Sequence, residues 1–382
     1  MPPESTPGPG TPRDTGSPDR RRRTRTGRRP DRTVRRRALR AMAWTAAGIV
    51  LLGGTGAGYL YARLNGNLTT VDLDRLLGGH RPRKTDNGSQ NILLLGSDSR
   101  AGENRKLGGG PGGGSARSDT AMIVHLYKGH RKAAVVSIPR DTLVDRPACT
   151  DTQGTVHPAE HRVMFNESYA TGGAACAVRT VEALTGVRMD HYLEVDFSGF
   201  RRIVDDLGGV RIRTTEAIRD PDSHLDLDAG THTLDGRQAL GLVRTRHGVG
   251  DGSDLGRIQL QQAFLRALID RIGQLGVLDN PTKLYRLADT ATRSVTTDSG
   301  LGSVDSLISF AGGLKGISSS RTTMITMPVQ YAAGNANRVV VDEAKARQVW
   351  RALRDDLPVP DTATQGTATG EATGLVNGAR AR

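Results

Sequence analysis

The sequence predicts a single α/β domain over residues 88–356, because strand-like and helix-like segments alternate along this part of the chain. Three of the strand-like segments are short and almost continuously apolar: Ile92–Leu95, Ala121–Leu126 and Ala133–Ile138. Runs of this kind are typical of strands in a sheet that is covered on both faces. Helix-like segments follow them, as such a covered sheet requires.

The later segments continue this alternation. A helical pattern over residues 176–186 ends at Gly186, a residue type that favours the left-handed conformation found just after helices. A second helix, over residues 196–209, carries its apolar residues on one side and stops at Gly208. The remaining predicted elements are the strands His191–Val195, Thr323–Met327 and Arg338–Val341, and the helix Glu343–Arg354 capped by Asp342.

The charge of the chain is concentrated in its first forty residues. The whole sequence has 53 basic and 40 acidic residues, a net charge of +13. Residues 1–40 contain 13 Arg, no Lys and 4 acids, a net charge of +9, which leaves +4 for the other 342 residues. We predict that residues 1–40 form a disordered basic tail. Nucleic acid is not an expected partner, because the folded part carries little of the charge.

Residues 41–61 contain no charged side chain and predict a transmembrane helix. As a helix they span about 31 Å, close to the thickness of a bilayer core. A secretory signal peptide is the alternative. The basic tail predicts a cytoplasmic N-terminus and an extracytoplasmic domain in the cell membrane. Residues 62–87 are interpreted as a stalk, and residues 357–382 as a disordered tail.

Two cysteines, Cys149 and Cys176, follow the predicted span. An even number of cysteines in an oxidising compartment favours one disulfide bond. The alternative is a pair of buried free thiols.

Residues 234–262 contain the strongest signal for a binding site. The segment begins as a helix with Asp235 as a possible N-cap and then runs into a strand-like LVRTRH. On a strand, Arg244 and Arg246 point to the same face. A second helix begins at Ser253–Asp254 and carries Arg257 and Gln261 four residues apart on one face. The predicted ligand is a phosphate or pyrophosphate. A solvated edge strand is the alternative.

Three pairs of Arg and Asp flank the three apolar strands. Asp98 and Arg100 follow the first strand, Arg117 and Asp119 precede the second, and Arg140 and Asp141 follow the third. Ligands of open α/β sheets bind at strand ends, where carboxylates can hold Mg²⁺ and guanidinium groups can hold phosphate. Surface turns with paired charges are the alternative.

The quoted segments together resemble one family. NILLLGSDSR, RSDTAMIV, VVSIPRDT, FNESYATGG and LDGRQALGLVRTRH…DGSDLGRIQLQQ are similar to motifs of the LytR-CpsA-Psr family, in the expected order over residues 91–262. The resemblance implies an α-β-α domain with a central mixed sheet and an apolar pocket for a polyprenyl chain. It also implies a Mg²⁺-dependent transfer of a glycopolymer from a polyprenyl-pyrophosphate carrier to peptidoglycan through a phosphodiester.

The resemblance also implies residue roles. Asp98 and Asp119 match the Mg²⁺ carboxylates, and Asp141 and Asp254 either orient an arginine or remove a proton. The pyrophosphate-binding arginines are implied to be Arg100, Arg117, Arg140, Arg244, Arg246 and Arg257, and the other substrate contacts Asn166 and Gln261. The sequence departs from the family pattern at Leu242, where Tyr is common, and at Leu260, where Arg is common. Two other functions stay open: binding of lipid-linked phosphates without transfer, and membrane-bound transcriptional regulation.

The one-sided charge around residues 41–61 yields a prediction about topology. Of two reporter enzymes fused after Arg382, only the one that works outside the membrane should be active, because the basic tail keeps the N-terminus in the cytoplasm. The measurement compares a reporter active outside the membrane with one active inside it, both fused at the same position. Activity of the cytoplasmic reporter alone would overturn this topology.

Overall fold

A seven-stranded sheet forms the centre of the computed structural model, which describes residues 54–56, 58–79, 81–98, 118–246, 253–276 and 280–369. Its strands are β1 Thr69–Val71, β2 Gln90–Ser97, β3 Ser118–Leu126, β4 Ala133–Ile138, β9 His191–Asp196, β14 Val295–Asp298 and β15 Thr322–Thr326. They lie in the order β1-β14-β9-β2-β3-β4-β15. Strand β2 is antiparallel to β3 and parallel to β9, so the predicted mixed sheet is confirmed.

Helices cover both faces of this sheet. They are α1 Leu73–Leu77, α2 Phe165–Thr185, α3 Phe197–Asp206, α4 Gly236–Arg244, α5 Asp254–Gln274, α6 Pro281–Ser294, α7 Val304–Gly313 and α8 Glu343–Arg354. Helices α1, α2 and α8 pack on the face where Leu93, Leu95 and Ile123 are fully buried. Helices α5 and α7 lie over the other face, against Met122 and Ile92 respectively. The three-layer arrangement is confirmed.

Smaller sheets surround this centre. Their strands are β5 Thr142–Arg146, β6 Cys149–Thr150, β7 Val156–His157, β8 Glu160–Met164, β10 Val210–Thr214, β11 Ile218–Asp220, β12 Leu225–Leu227, β13 Gly230–Leu234, β16 Val329–Ala332 and β17 Asn335–Val341. Strands β16, β17, β5 and β8 form one sheet, while β10–β13 and β11–β12 form separate pairs. A second apolar core, which includes Leu234, Leu242 and Phe264, joins β10 and β13 to α3, α4 and α5.

Local capping explains why several helices begin where the sequence predicts. Asp235 and Gln238 form a reciprocal capping box at α4, and Ser253 accepts a hydrogen bond from Gly256 N at the start of α5. Asp342 caps α8, which has the predicted bounds. Gly186 ends α2 in the left-handed conformation, with φ 63°.

The prediction of a strand at LVRTRH is wrong, because α4 continues into this segment and ends at Arg244. The capping box starts a helix, and Ala239 and Leu242, three residues apart on the same helical face, are both buried in the second core. Burial therefore outweighs the local alternation of apolar and basic residues that favoured a strand. Thr245 leaves the helix with φ −56° and ψ 132°.

The domain is longer than the sequence predicted at both ends. Within the predicted stalk, residues 69–71 pair in parallel with residues 296–298 of β14, and α1 buries Leu73 and Leu77 in the main core. Within the predicted disordered tail, Thr369 donates a hydrogen bond to Met327 O at 2.8 Å. At the N-terminal end, a strand of three residues is too short to show a periodic pattern of apolar residues. At the C-terminal end, small Ala and Thr side chains pack closely although the composition of the segment suggests disorder. These two features explain the differences.

The predicted disulfide between Cys149 and Cys176 is present, with a Cα–Cα distance of 5.2 Å. It joins β6 to α2 at the point where Gly172 and Gly173 interrupt the helix. A Cβ atom at Gly172 would lie 2.2 Å from Cys176 Sγ, so the bridge requires glycine there. Closing a loop with a sequence separation of 27 contributes about 3–4 kcal/mol in the chain-entropy model.

Among the described residues, no helix is both long and apolar enough to cross a lipid bilayer. The basic tail 1–40 and most of the predicted span 41–61 lie outside the described residues. The transmembrane helix therefore stays a prediction.

Candidate active site

Three neighbouring strands bring charged residues to one edge of the main sheet. Because β3 is antiparallel to both β2 and β4, the end of β2, the start of β3 and the end of β4 lie at the same edge of the sheet. Asp98, Asp119, Arg140 and Asp141 occupy these positions, as the sequence predicted. Arg100 and Arg117 lie outside the described residues.

A β-bulge directs the Asp119 side chain. In the pairing of β2 with β3, Gly96 lies opposite Thr120 and Ser97 opposite Ser118, which leaves Asp119 as the extra residue. Bulges of this kind re-aim a side chain and are common next to functional sites. The Asp119 carboxylate accepts a hydrogen bond from Arg140 Nη1, and its backbone oxygen accepts one from Arg257 Nη2 at 3.3 Å.

Asp254, the first residue of α5, is the centre of the arginine cluster. Its Oδ1 atom accepts a hydrogen bond from Arg257 and lies 3.8 Å from both Arg140 Nε and Arg246 Nη2. Its Oδ2 atom accepts the backbone N–H of Arg140 at 3.1 Å. The Asp254 side chain is only 10% exposed. One carboxylate with little exposure therefore orients three guanidinium groups.

Arg244 and Arg246 reach this cluster from the end of α4 rather than from a strand. The Arg244 guanidinium carbon lies 4.9 Å from the centre of the Phe197 ring, a cation–π contact. The backbone N–H of Arg246 donates to Asp220 Oδ2 at 2.8 Å. Between them Thr245 is buried, and its hydroxyl lies 2.9 Å from Ser223 Oγ. The β11–β12 turn thus fixes the segment that carries both arginines.

A cavity of about 270 Å³ opens at this cluster. The residues that line it are Asp119, Thr120, Arg140, Phe197, Asp220, Asp222, Ser223, Val243, Arg244, Arg246 and Arg257. Four of them are arginines whose planar groups can bind phosphate oxygens in pairs. We call this cavity the arginine cleft.

Two predicted site residues act behind the arginine cleft instead of lining it. Asn166 is buried, and its backbone N–H donates to Arg140 O at 3.1 Å. Gln261 is also buried, and its side-chain amide donates to Val243 O at 3.1 Å. Their contacts position the Arg140 turn and the end of α4, respectively.

The cluster raises the pKa of two of its members, Arg140 and Asp141. Burial lowers the pKa of Arg140, but the negative charges of Asp119, Asp254 and Asp141 outweigh it and raise the pKa above the ordinary value. Burial, together with the nearby Asp254 carboxylate, raises the pKa of Asp141. The raised pKa makes the Asp141 carboxylate a stronger base than an ordinary aspartate.

The residues of the site that the sequence did not predict include Phe197, Asp220 and Thr245. In the sequence, Phe197 follows an N-cap and has the pattern of an apolar residue that packs a helix into the core. Asp220 precedes a proline in an ordinary turn sequence, so neither residue indicates a binding site. Only Thr245, between two arginines, lay in a segment already singled out.

A model of the LytR_cpsA_psr family matches residues 60–355. The chain belongs to the LytR-CpsA-Psr family. It is 30% identical to the "Cell wall biosynthesis protein LcpA" of Corynebacterium glutamicum, over 86% of this chain and 68% of that protein. It is 27% identical to the "Polyisoprenyl-teichoic acid--peptidoglycan teichoic acid transferase TagT" of Bacillus subtilis, over 88% of this chain and 99% of that protein.

Solved structures of the LytR-CpsA-Psr family have the same fold. "TagT bound to LIIa-WTA" matches with a TM-score of 0.53 and 26% identity, over 75% of this chain and 99% of that chain. The "LytR-Csp2A-Psr enzyme from Actinomyces oris" matches with a TM-score of 0.55 and 23% identity, over 75% of this chain and 95% of that chain.

The two departures from the LytR-CpsA-Psr pattern both lie in the second core. Leu242 is 1% exposed and Leu260 is 2% exposed, and they belong to the same apolar cluster as Phe264. An apolar side chain at position 260 adds to this core and leaves the arginine cleft without that helix arginine.

The role of Asp220 yields a prediction. Asp220→Ala removes the acceptor of the Arg246 N–H and of two N–H groups in its own turn, at Asp222 and Ser223. We expect about 1–3 kcal/mol lower stability, because buried donors lose their partners. Binding of inorganic pyrophosphate should also weaken, because the Arg246 segment loses its anchor. Calorimetric binding and thermal unfolding measure the two effects.

The matched control is Asp226→Ala in the same hairpin, where Asp226 pairs with the exposed Arg219. This change should alter stability by less than about 0.5 kcal/mol. Unchanged pyrophosphate binding by Asp220→Ala would show that Asp220 does not position Arg246.

Proposed function

We propose that this protein transfers a glycopolymer from a polyprenyl-pyrophosphate carrier to peptidoglycan and joins the two through a phosphodiester. The observation that carries the proposal is the arginine cleft, in which four guanidinium groups converge at the ends of the central strands. The names of the relatives TagT and LcpA, a teichoic acid transferase and a cell wall biosynthesis protein, support the same reaction class.

In this reaction a sugar hydroxyl of the acceptor attacks the phosphorus that carries the polymer. A bond forms between the hydroxyl oxygen and phosphorus, and the bond from phosphorus to the bridging oxygen of the pyrophosphate breaks. Polyprenyl phosphate leaves with the electron pair. Positioned cationic groups supply most of the catalysis of such steps, because negative charge is redistributed over the phosphoryl oxygens.

The arginines of the cleft and the carboxylates that contact them have different roles in this reaction. Arg244 and Arg246 hold the pyrophosphate, and Arg140 and Arg257 complete the binding site. Asp254 orients three of these side chains, since it contacts all three guanidinium groups. Asp141, whose pKa is raised by burial and by Asp254, is the better candidate to take the proton of the attacking hydroxyl.

The charges of the described residues support a divalent cation as part of the site. Four arginines of the cleft face a larger number of carboxylates, namely Asp119, Asp141, Asp220, Asp222 and Asp254. Among the described residues, no group of three or more His, Cys, Asp or Glu side chains is arranged to hold a metal. Mg²⁺ fits this set, because it commonly takes one or two carboxylates together with water and substrate phosphates. Asp98 and Asp119 would hold it, and when bound it would neutralise phosphate charge.

The face of the sheet beneath α5 supports binding of the polyprenyl chain. Leu94 and Val124 are only partly buried although they lie on the central strands β2 and β3. Leu265 and Ile269 of α5 are partly buried opposite them. An apolar chain that enters between the sheet and α5 would cover all four side chains.

We further propose that the protein is anchored in the cell membrane by residues 41–61, with its catalytic domain outside. The charge asymmetry of the N-terminal segment supports this orientation. The reporter fused after Arg382 tests it.

Arg244→Lys tests the proposed binding of pyrophosphate. Lysine keeps the charge but loses the second hydrogen bond of each planar pair, so transfer should fall by about one to two orders of magnitude. The measurement is transfer from a lipid-linked substrate, beside a thermal melt of the same variant. Arg219→Lys, at an exposed position on the neighbouring hairpin, is the control and should transfer normally. Normal transfer by Arg244→Lys would refute the assignment.

Asp98→Ala and Asp119→Ala test the metal site. Each should abolish Mg²⁺-dependent transfer and leave the melting temperature nearly unchanged, because a site at strand ends contributes little to the core. Titration of transfer against free Mg²⁺ measures the effect. If both variants retain transfer at low Mg²⁺, these carboxylates do not hold the metal.

A further inference from the structure

A second and larger cavity, of about 490 Å³, lies between the β10–β13 hairpin and the C-terminal half of α5. Arg211 and Arg213 of β10, Thr231 and Thr233 of β13, and Arg271 of α5 line it. Of the lining residues that the structure describes, Asp270 is the single acidic one. We call this cavity the hairpin cavity.

The hairpin presents a regular polar face. Arg211 and Arg213 are two residues apart on β10, so both point away from the second core, where Ile212 is buried. Their side chains emerge about 6.6 Å apart along the strand. Thr233 lies directly opposite Arg211, and Thr231 opposite Arg213. Each of these two cross-strand pairs therefore presents one guanidinium group and one hydroxyl group on the same face.

Arg211 and Arg213 are exposed, and neither forms an ion pair or side-chain hydrogen bond with a residue in the described part of the chain. The arginine of the next hairpin behaves differently, because Arg219 pairs with Asp226 and Asp228 at 3.0 and 2.9 Å. Arg271 in turn donates to Leu207 O and so holds the base of the cavity. The hairpin cavity thus keeps two guanidinium groups available for an anion.

Helix α5 connects this cavity to the arginine cleft. Arg257, in the first turn of α5, lines the arginine cleft, and Asp270, Arg271 and Gln274 at the far end of α5 line the hairpin cavity. Along the helix, Arg257 and the nearest lining residue of the hairpin cavity, Ala267, are ten residues apart, which corresponds to about 15 Å. The two cavities are therefore separated by a distance that a small ligand cannot span but a polymer can.

We infer that the hairpin cavity binds an anionic stretch of glycopolymer, with Arg211 and Arg213 contacting its phosphate or carboxylate groups and Thr231 and Thr233 its hydroxyls. The inference rests on the proposed transfer function and names the class of polymer: one that carries repeated negative charges. Among the described residues that line the cavity none is aromatic, so this lining lacks the stacking surfaces with which proteins bind single-stranded nucleic acids.

The test uses a lipid-free oligomer of eight glycerol phosphate units and the whole protein. Calorimetry should detect binding that weakens as salt is raised, and the double variant Arg211→Ala/Arg213→Ala should bind about tenfold or more weakly. The control is Arg347→Ala/Arg351→Ala, which removes two exposed arginines from α8 and should bind like the unmodified protein. A neutral dextran of similar length should not bind.

Transfer assays separate this inference from the proposed function. Arg244→Ala should lose transfer but keep oligomer binding, whereas the hairpin variant should transfer a one-unit donor normally and lose the preference for a long donor over a short one. Loss of oligomer binding without loss of that preference would assign the cavity to anionic polymer of the wall instead of the donor. Equal oligomer binding by the hairpin variant and the unmodified protein, or none by either, would overturn the inference.

Discussion

The site depends on one carboxylate, Asp254, at the start of α5. It accepts a hydrogen bond from Arg257, lies within 3.8 Å of two further guanidinium groups, and accepts the backbone N–H of Arg140. It therefore joins the end of β4 to a distant part of the chain that comprises the segment after α4 and α5 itself. Without this carboxylate, the arginines would repel one another and the turn after β4 would lose a buried acceptor.

The two apolar cores of the domain position different parts of the site around Asp254. The main core holds β2, β3 and β4 in antiparallel register, so that their charged ends meet at one edge. The second core packs α4 against α5 and thereby delivers Arg244 and Arg246 to the same place. Gln261 ties the two helices together through Val243 O. A phosphate site is thus assembled from rigid elements, which suits a reaction that depends on the placement of charge.

Sequence patterns predicted the elements that depend on local chemistry. The capped helix Glu343–Arg354 and the apolar strand Ala133–Ile138 have the predicted bounds. Sequence patterns failed where burial in the tertiary structure determines the secondary structure, as in the helix that replaces the predicted strand around Leu242. The Asp119 bulge and the contact of Asp220 with Arg246 were also not predictable, because both depend on register between segments that are distant in the chain. The predicted strand-end positions of Asp98, Asp119 and Asp141 were right, because β2, β3 and β4 are neighbours in the sheet in the order in which they occur in the chain.

The most direct test of the account is a crystal structure of the protein with a bound polyprenyl pyrophosphate. The account predicts pyrophosphate oxygens at about 2.7–2.9 Å from the guanidinium nitrogens of Arg244 and Arg246, as expected for charge-assisted hydrogen bonds. It also predicts that the isoprenoid enters between the sheet and α5, next to Leu94 and Val124. A pyrophosphate bound elsewhere, with neither arginine in contact with it, would contradict the account.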